Sequence, residues 1–124
     1  MNEIECLREV LQAMRDEGRI SVAVLYGSFA KGCQHKRSDI DIALYLNAGN
    51  HEDEIDLIDR ILLSVERDVS ILRLDDPDES PFIVQEALKG LHLVAPDMEV
   101  LYRVSLRVLH ESENIRFRRE NRLG

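Results

Sequence analysis

Residues 20–46 read ISVAVLYGSFAKGCQHKRSDIDIALYL, and this stretch decides the fold. Residues 20–26 (ISVAVLY) are β-branched and apolar, so they are expected to form a buried strand that ends at Gly27. Residues 39–46 (DIDIALYL) alternate. Ile40, Ile42, Leu44 and Leu46 fall on one face, and Asp39, Asp41, Ala43 and Tyr45 on the other. The link between the two runs, residues 28–38, is short and polar, with Gly27 at its start and Gly32 near its middle. So tight a link implies an antiparallel pair.

The flanking segments supply the covering layers. Ile4, Leu7, Leu11 and Met14 make one helical stripe over residues 2–17, and Gly18 supplies a stop. After a turn at residues 47–50, Glu52, Asp53 and Glu54 suit the first turn of a helix. Its expected apolar stripe is Ile55, Ile58, Leu62 and Val65. Residues 68–74 (DVSILRL) read as a third strand, and residues 75–81 (DDPDESP) as an acidic, solvated loop. Residues 82–89 form an expected short helix closed by Gly90, and residues 91–94 a short strand. Pro96 and Asp97 open a last helix, with Met98, Leu101, Ser105, Val108 and Ser112 along one face. The expectation is an α/β (α+β) fold, a small mixed sheet flanked by helices, in one domain over residues 1–124. Residues 113–124 are expected to be a flexible basic tail.

Composition narrows the function. The chain has 124 residues and a formal charge of -8. A polyanion would be repelled overall, so no direct nucleic-acid binding is expected. A mononucleotide is not excluded, because a metal can offset its charge locally. Cys6 and Cys33 are read as free thiols. His35, His51, His92 and His110 show no ligand spacing. There is no run of about 18 apolar residues, and MNEIECLREV lacks the apolar core of a signal peptide. The expected location is cytoplasmic, away from membranes.

Asp39 and Asp41 carry the chemistry. Two apart on a strand, their carboxylates share a face, with Cα atoms ~6.6 Å apart at ~3.3 Å per residue. Ionised carboxylates at that range repel unless a cation lies between them. A hard divalent ion with oxygen ligands resolves this, and Mg²⁺ commonly takes one or two carboxylates plus substrate phosphates. A lone DxD is more often two solvated aspartates. The upstream turn changes that reading, because Gly27 allows a close backbone approach to a ligand and amides in such a turn can hold phosphate oxygens. The Ser28 hydroxyl and Lys31 are placed to add contacts.

The pattern Gly27-Ser28, ten residues, then Asp39-x-Asp41 resembles the nucleotidyltransferase superfamily of DNA polymerase β, and most of all its minimal nucleotidyltransferases (MNT). The resemblance spans residues 5–105 at the level of element order, and residues 27–46 are its specific part. It implies a polymerase β palm-like fold. It also implies a third carboxylate on a later strand. Asp68 is the natural match, with Glu66 as a competitor. Asp39, Asp41 and Asp68 would then hold two Mg²⁺ ions, and Gly27, Ser28 and Lys31 would bind the phosphates of ATP. The resemblance further implies a partner, a HEPN-type ribonuclease toxin, to whose tyrosine the chain would transfer AMP as an antitoxin. Neutralisation by binding alone, or transfer to a small molecule or RNA end, are the alternatives. Acceptor, base preference and oligomeric state, homo- or hetero-, stay open. The stretch with Ile115, Arg116, Phe117, Arg118, Arg119 and Arg122 is read as a solvated helix end rather than a dock, and the family's usual acidic and aromatic ending is not matched there.

Overall fold

The computed structural model describes residues 2–33 and 39–123, with side chains to residue 116. Its centre is β1 (Ile20–Tyr26), buried at six of its seven positions. β1 is buried so fully because it has a strand on each edge and helices on both faces. β2 (Ile40–Leu46) pairs with it antiparallel, as the short link requires. β3 (Val69–Arg73) runs parallel to β2 after a helical crossover. β4 (Leu91–His92) pairs antiparallel on the other edge of β1. The order is β3-β2-β1-β4, a mixed sheet.

The alternation of β2 separates two cores. On one side, Ile40, Ile42, Leu44 and Leu46 pack with Leu7, Leu11 and Met14 of α1 (Glu3–Asp16) and with Leu57 and Ile61 of α3 (His51–Leu62). On the other, Ala43 packs with Val22 and Val24, with Val84 and Ala87 of α4 (Pro81–Leu88), and with Val100, Val104 and Val108 of α5 (Met98–Leu123). The result is three layers, helices over both faces of the sheet. A register shift between Ile20 and Val22 swaps the phase of β1, so Ile20 shares a core with Ala23 and Leu25. Buried Ser21 sits at the shift, its hydroxyl accepting from Asn47 Nδ2 at 2.8 Å and its carbonyl from the Asp97 amide at 2.8 Å. The polar atoms freed by the irregularity are thus satisfied.

Two helix faces differ from expectation. In α3, Ile55 is 45% and Leu62 40% exposed, while Leu57 and Ile61 are buried with Ile58 at their edge. Val65 packs on this core from beyond the helix end. Apolar residues at 55, 57, 58, 61 and 62 allow two overlapping stripes, and the crossover from β2 to β3 selects the roll. In α5, Met98 is 66% exposed and Ser105 is exposed; Val100, Val104, Val108 and Ser112 face inward, every fourth residue. The link after β1 is also more regular than expected, since residues 27–31 form the short helix α2 (Gly27–Lys31).

α1 starts at Asn2, whose side chain accepts from the Glu5 amide, and α3 at Asn50, which accepts from Asp53. Arg73 at the end of β3 binds Asp75 and Glu54 together, clamping α3 to the sheet. α5 runs as one helix to Leu123, so the backbone of residues 113–123 continues helical where a flexible tail was expected. Arg116 stacks over Phe82 of α4, 5.8 Å from the ring centroid. Cys6 and Cys33 are free. Among the described residues no helix is long and apolar enough to cross a membrane.

Gly90 joins α4 to β4. A Cβ there would stand 3.0 Å from the Leu25 carbonyl carbon and 3.1 Å from Val24 Cγ1, closer still to the Leu25 oxygen. The obstacle is backbone of the central strand, which cannot yield. Gly90→Ala is expected to cost about 1–3 kcal/mol, the usual scale of overpacking, read as a lowered midpoint in urea unfolding.

Candidate active site

β1 ends at Tyr26 in extended backbone, and Gly27 turns the chain into α2 with φ +71. That φ lies in the left-handed region favoured by glycine. A second constraint also demands glycine. A Cβ at Gly27 would meet Asp41 at 3.2 Å from Cγ and 3.4 Å from Cβ, and its carboxylate oxygen nearer still. The turn therefore rests directly on the Asp41 side chain, fourteen positions later in the chain. The strand register explains why, because Tyr26 and Asp41 are paired across β1 and β2.

The first amides of α2, including that of Ser28, have no acceptor within the helix. The Ser28 carbonyl accepts from the Cys33 amide at 2.9 Å, and Gly32 closes the helix with φ +71. Lys31, the last residue of α2, is exposed. Residues 34–38, inside the ten-residue spacer, lie outside the described residues, and so does His35.

Asp39 precedes β2 and is exposed, whereas Asp41 within it is half-buried. Burial, and then the charge of Asp39, hold the Asp41 carboxyl above its ordinary value. Beside Asp41, the Tyr26 hydroxyl is held up by burial, then by Asp41 and by Glu79. Glu79, from the loop before α4, thus adds to a negative field that its sequence position does not reveal. Asp68 is next to the pair: Ile40 pairs with Val69, and the Ile40 amide donates to the Asp68 carbonyl at 2.9 Å. One step back, Asp68 is level with Asp39 and, by strand alternation, on the same face. Its side chain is exposed. Among the described residues no three His, Cys, Asp or Glu side chains gather closely enough to hold an ion, so the structure brings Asp39 and Asp41 together and leaves Asp68 alongside.

Arg67 was not picked out from the sequence. Its guanidinium lies 5.0 Å from the Phe29 ring centroid and 3.4 Å from Glu3. It thereby ties the start of α1 and the entry to β3 to α2, which carries Ser28. No local pattern signals it, because its partners are 38 and 64 positions away. On the side of Gly27 away from Asp41 there is a cavity of about 270 Å³, lined by Tyr26, Gly27, Lys31, Glu86, Lys89 and Leu91 among others.

A central strand, a glycine-serine turn into a helix and an aspartate pair on the next strand define a nucleotide-transfer class of fold. Residues 8–99 match the family described as Polymerase beta, Nucleotidyltransferase, and this chain belongs to it. A protein of Methanocaldococcus jannaschii named a protein adenylyltransferase is 37% identical over 65 residues, 51% of this chain. The match spans 64% of that relative, less than two thirds of its length. Among solved structures, a toxin-antitoxin crystal structure with AMP-PNP matches at TM-score 0.70 and 19% identity, covering 99% of this chain and 96% of the other. A complex of a tri-AMPylated Shewanella oneidensis HEPN toxin with an MNT antitoxin matches at TM-score 0.64 and 14% identity, covering 98% and 96%. At these identities the structures establish the fold.

The raised Asp41 carboxyl has a consequence for stability. The folded chain holds this proton more tightly than the unfolded chain. Stability is therefore lost as pH rises from the ordinary carboxylate value through the raised folded one, and the deficit is constant above that. In chelator-treated buffer at pH 7, Asp41→Asn is expected to unfold at higher urea than the wild type. The gap should close as pH falls through that interval. Equal urea midpoints at pH 7 would contradict the account.

Proposed function

We propose that this chain is a metal-dependent nucleotidyltransferase that moves AMP from ATP to a hydroxyl, a tyrosine, of a HEPN-type toxin, and so acts as its antitoxin. The observation that carries the reading is the contact between the Gly27 turn and Asp41. It sets the start of α2, with its unpaired helical amides, against a carboxylate pair, which is the arrangement needed to hold the phosphates of a nucleotide and position its α-phosphorus at once. Family membership supplies the reaction class. The adenylyltransferase name of the M. jannaschii relative and the AMPylated toxin in one structural neighbour favour this donor and acceptor.

The residues present fit a hard divalent cation. Asp39 and Asp41 offer only oxygen donors, and a cation between them would offset both the burial and the neighbouring charge that hold the Asp41 carboxyl above its ordinary value. These two, joined by Asp68, would hold Mg²⁺, in a pair of ions on the family pattern. When bound, Mg²⁺ lowers the pKa of the acceptor hydroxyl and offsets charge on the leaving oxygens. Asp68, level with Asp39 and exposed, can reorient toward the acceptor and take its proton. The acceptor oxygen then attacks the α-phosphorus, the bond to the β-phosphate oxygen breaks, and pyrophosphate leaves. Ser28 and the α2 amides grip the β- and γ-phosphates and hold the leaving group in line. Arg67 keeps α2 in place through Phe29.

The test is incubation with ATP, Mg²⁺ and the cognate toxin, read by intact mass. An added AMP on the toxin is the expected result, and its absence with folded proteins would overturn the reading. Asp39→Ala with Asp41→Ala should reduce transfer by roughly three orders of magnitude or more, the scale of the several kcal/mol that bound cations supply to a transition state. If that double variant still protected cells from the toxin, neutralisation would be by occlusion and the enzymatic role would fall. Ser28→Ala should lower kcat/KM for ATP by about 10- to 100-fold, as for one hydrogen bond to a charged group.

A further inference from the structure

We infer that Lys89, together with Lys31, binds the pyrophosphate end of the nucleotide, in the cavity on the side of Gly27 opposite Asp41. This rests on the nucleotidyl-transfer reading above. β1 and β4 pair Val24 with His92 and Leu25 with Leu91. The ladder ends there, and the turn through Gly90 into the end of α4 places Lys89 on one cavity with Gly27. On the other edge of β1, Tyr26 pairs with Asp41. Gly27 therefore has a carboxylate of β2 against it and, toward the β4 edge, a cavity lined by Lys89.

Packing enforces this placement. Gly90 lies so close to the Leu25 carbonyl that no side chain fits between them, which holds the end of α4 hard against the end of β1. Lys89 and Lys31 come from different helices yet line one cavity with Gly27. Two ammonium groups on one small cavity stand out in a chain of formal charge -8. The cavity also holds Glu86, which pairs with Lys89 at 3.1 Å. Both side chains of that pair are mostly exposed, at 75% and 69%, so the pair is weak and a polyphosphate can displace the carboxylate.

The ligand class follows from the charge gradient. A nucleoside triphosphate laid across Gly27 with its α-phosphate at the aspartates would carry its β- and γ-phosphates toward Lys31 and Lys89. Lysine suits that task as a flexible point charge able to follow a moving phosphate. The two ammonium groups would also hold pyrophosphate after the bond to the α-phosphate breaks.

The discriminating experiment is calorimetric titration of the full chain with Mg²⁺-ATP, Mg²⁺-pyrophosphate and AMP. Lys89→Ala should weaken ATP and pyrophosphate about five- to tenfold, the scale of one charge-assisted contact at a partly exposed site. AMP binding should not change, and Lys89→Arg should restore most of the loss. Because Lys89 is exposed, the fold should survive either change. Wild-type binding of pyrophosphate with no loss in Lys89→Ala, or an equal loss for AMP, overturns the assignment of Lys89 alone. A wild-type chain that binds neither ATP nor pyrophosphate overturns this assignment and the nucleotidyl-transfer reading with it.

Discussion

The rest of the site depends on the contact of the Gly27 turn with the Asp41 side chain. Both lie at the same end of a two-strand ladder, and both are needed in the same place. Under the proposed function the turn cradles phosphates, and so it has to approach the groups that would hold the cation. Only a residue without a Cβ permits that approach here, since any other would displace the carboxylate. The left-handed φ is a second, independent reason for glycine at the same position.

The cost of this closeness is electrostatic. Asp41 is half-buried against the turn, Asp39 shares its face, and Glu79 adds charge from a loop distant in sequence. Such crowding is unfavourable in the free chain, and under the proposed function a cation and a polyphosphate would offset it. The fold stabilises the arrangement from outside the site. Two cores pack the sheet on both faces, Arg67 braces α2 through Phe29, and the Gly90 turn presses α4 onto β1. In this way a site that repels itself is kept open by apolar packing it does not touch.

The strands and the residues of the DxD pair were legible because their signals are local. β1 is an unbroken apolar run, and the alternation of Ile40, Ile42, Leu44 and Leu46 states which face of β2 holds the aspartates. The stop at Gly90 is equally local. The face of α3 was not legible, and that of α5 only in part, since Val108 and Ser112 are buried as expected while Met98 and Ser105 are exposed. Each helix carries more apolar residues than it buries, so its own periodicity fits two rolls, and only the neighbouring sheet decides between them. The phase change at Ser21 was hidden for a similar reason, because every residue around it is apolar enough to sit in either core.

By itself, the sequence determined the order of the strands and longer helices, the mixed sheet and the spacing that joins Gly27-Ser28 to Asp39 and Asp41, because each depends on neighbours along the chain. Tertiary structure alone decided that the turn touches Asp41, that Asp68 stands level with Asp39, and that Arg67, Glu79 and Lys89 surround the same strand end. Those residues are brought together by strand pairing and helix docking across tens of positions. No short-range pattern of side chains carries that information, since it resides in the register of the sheet.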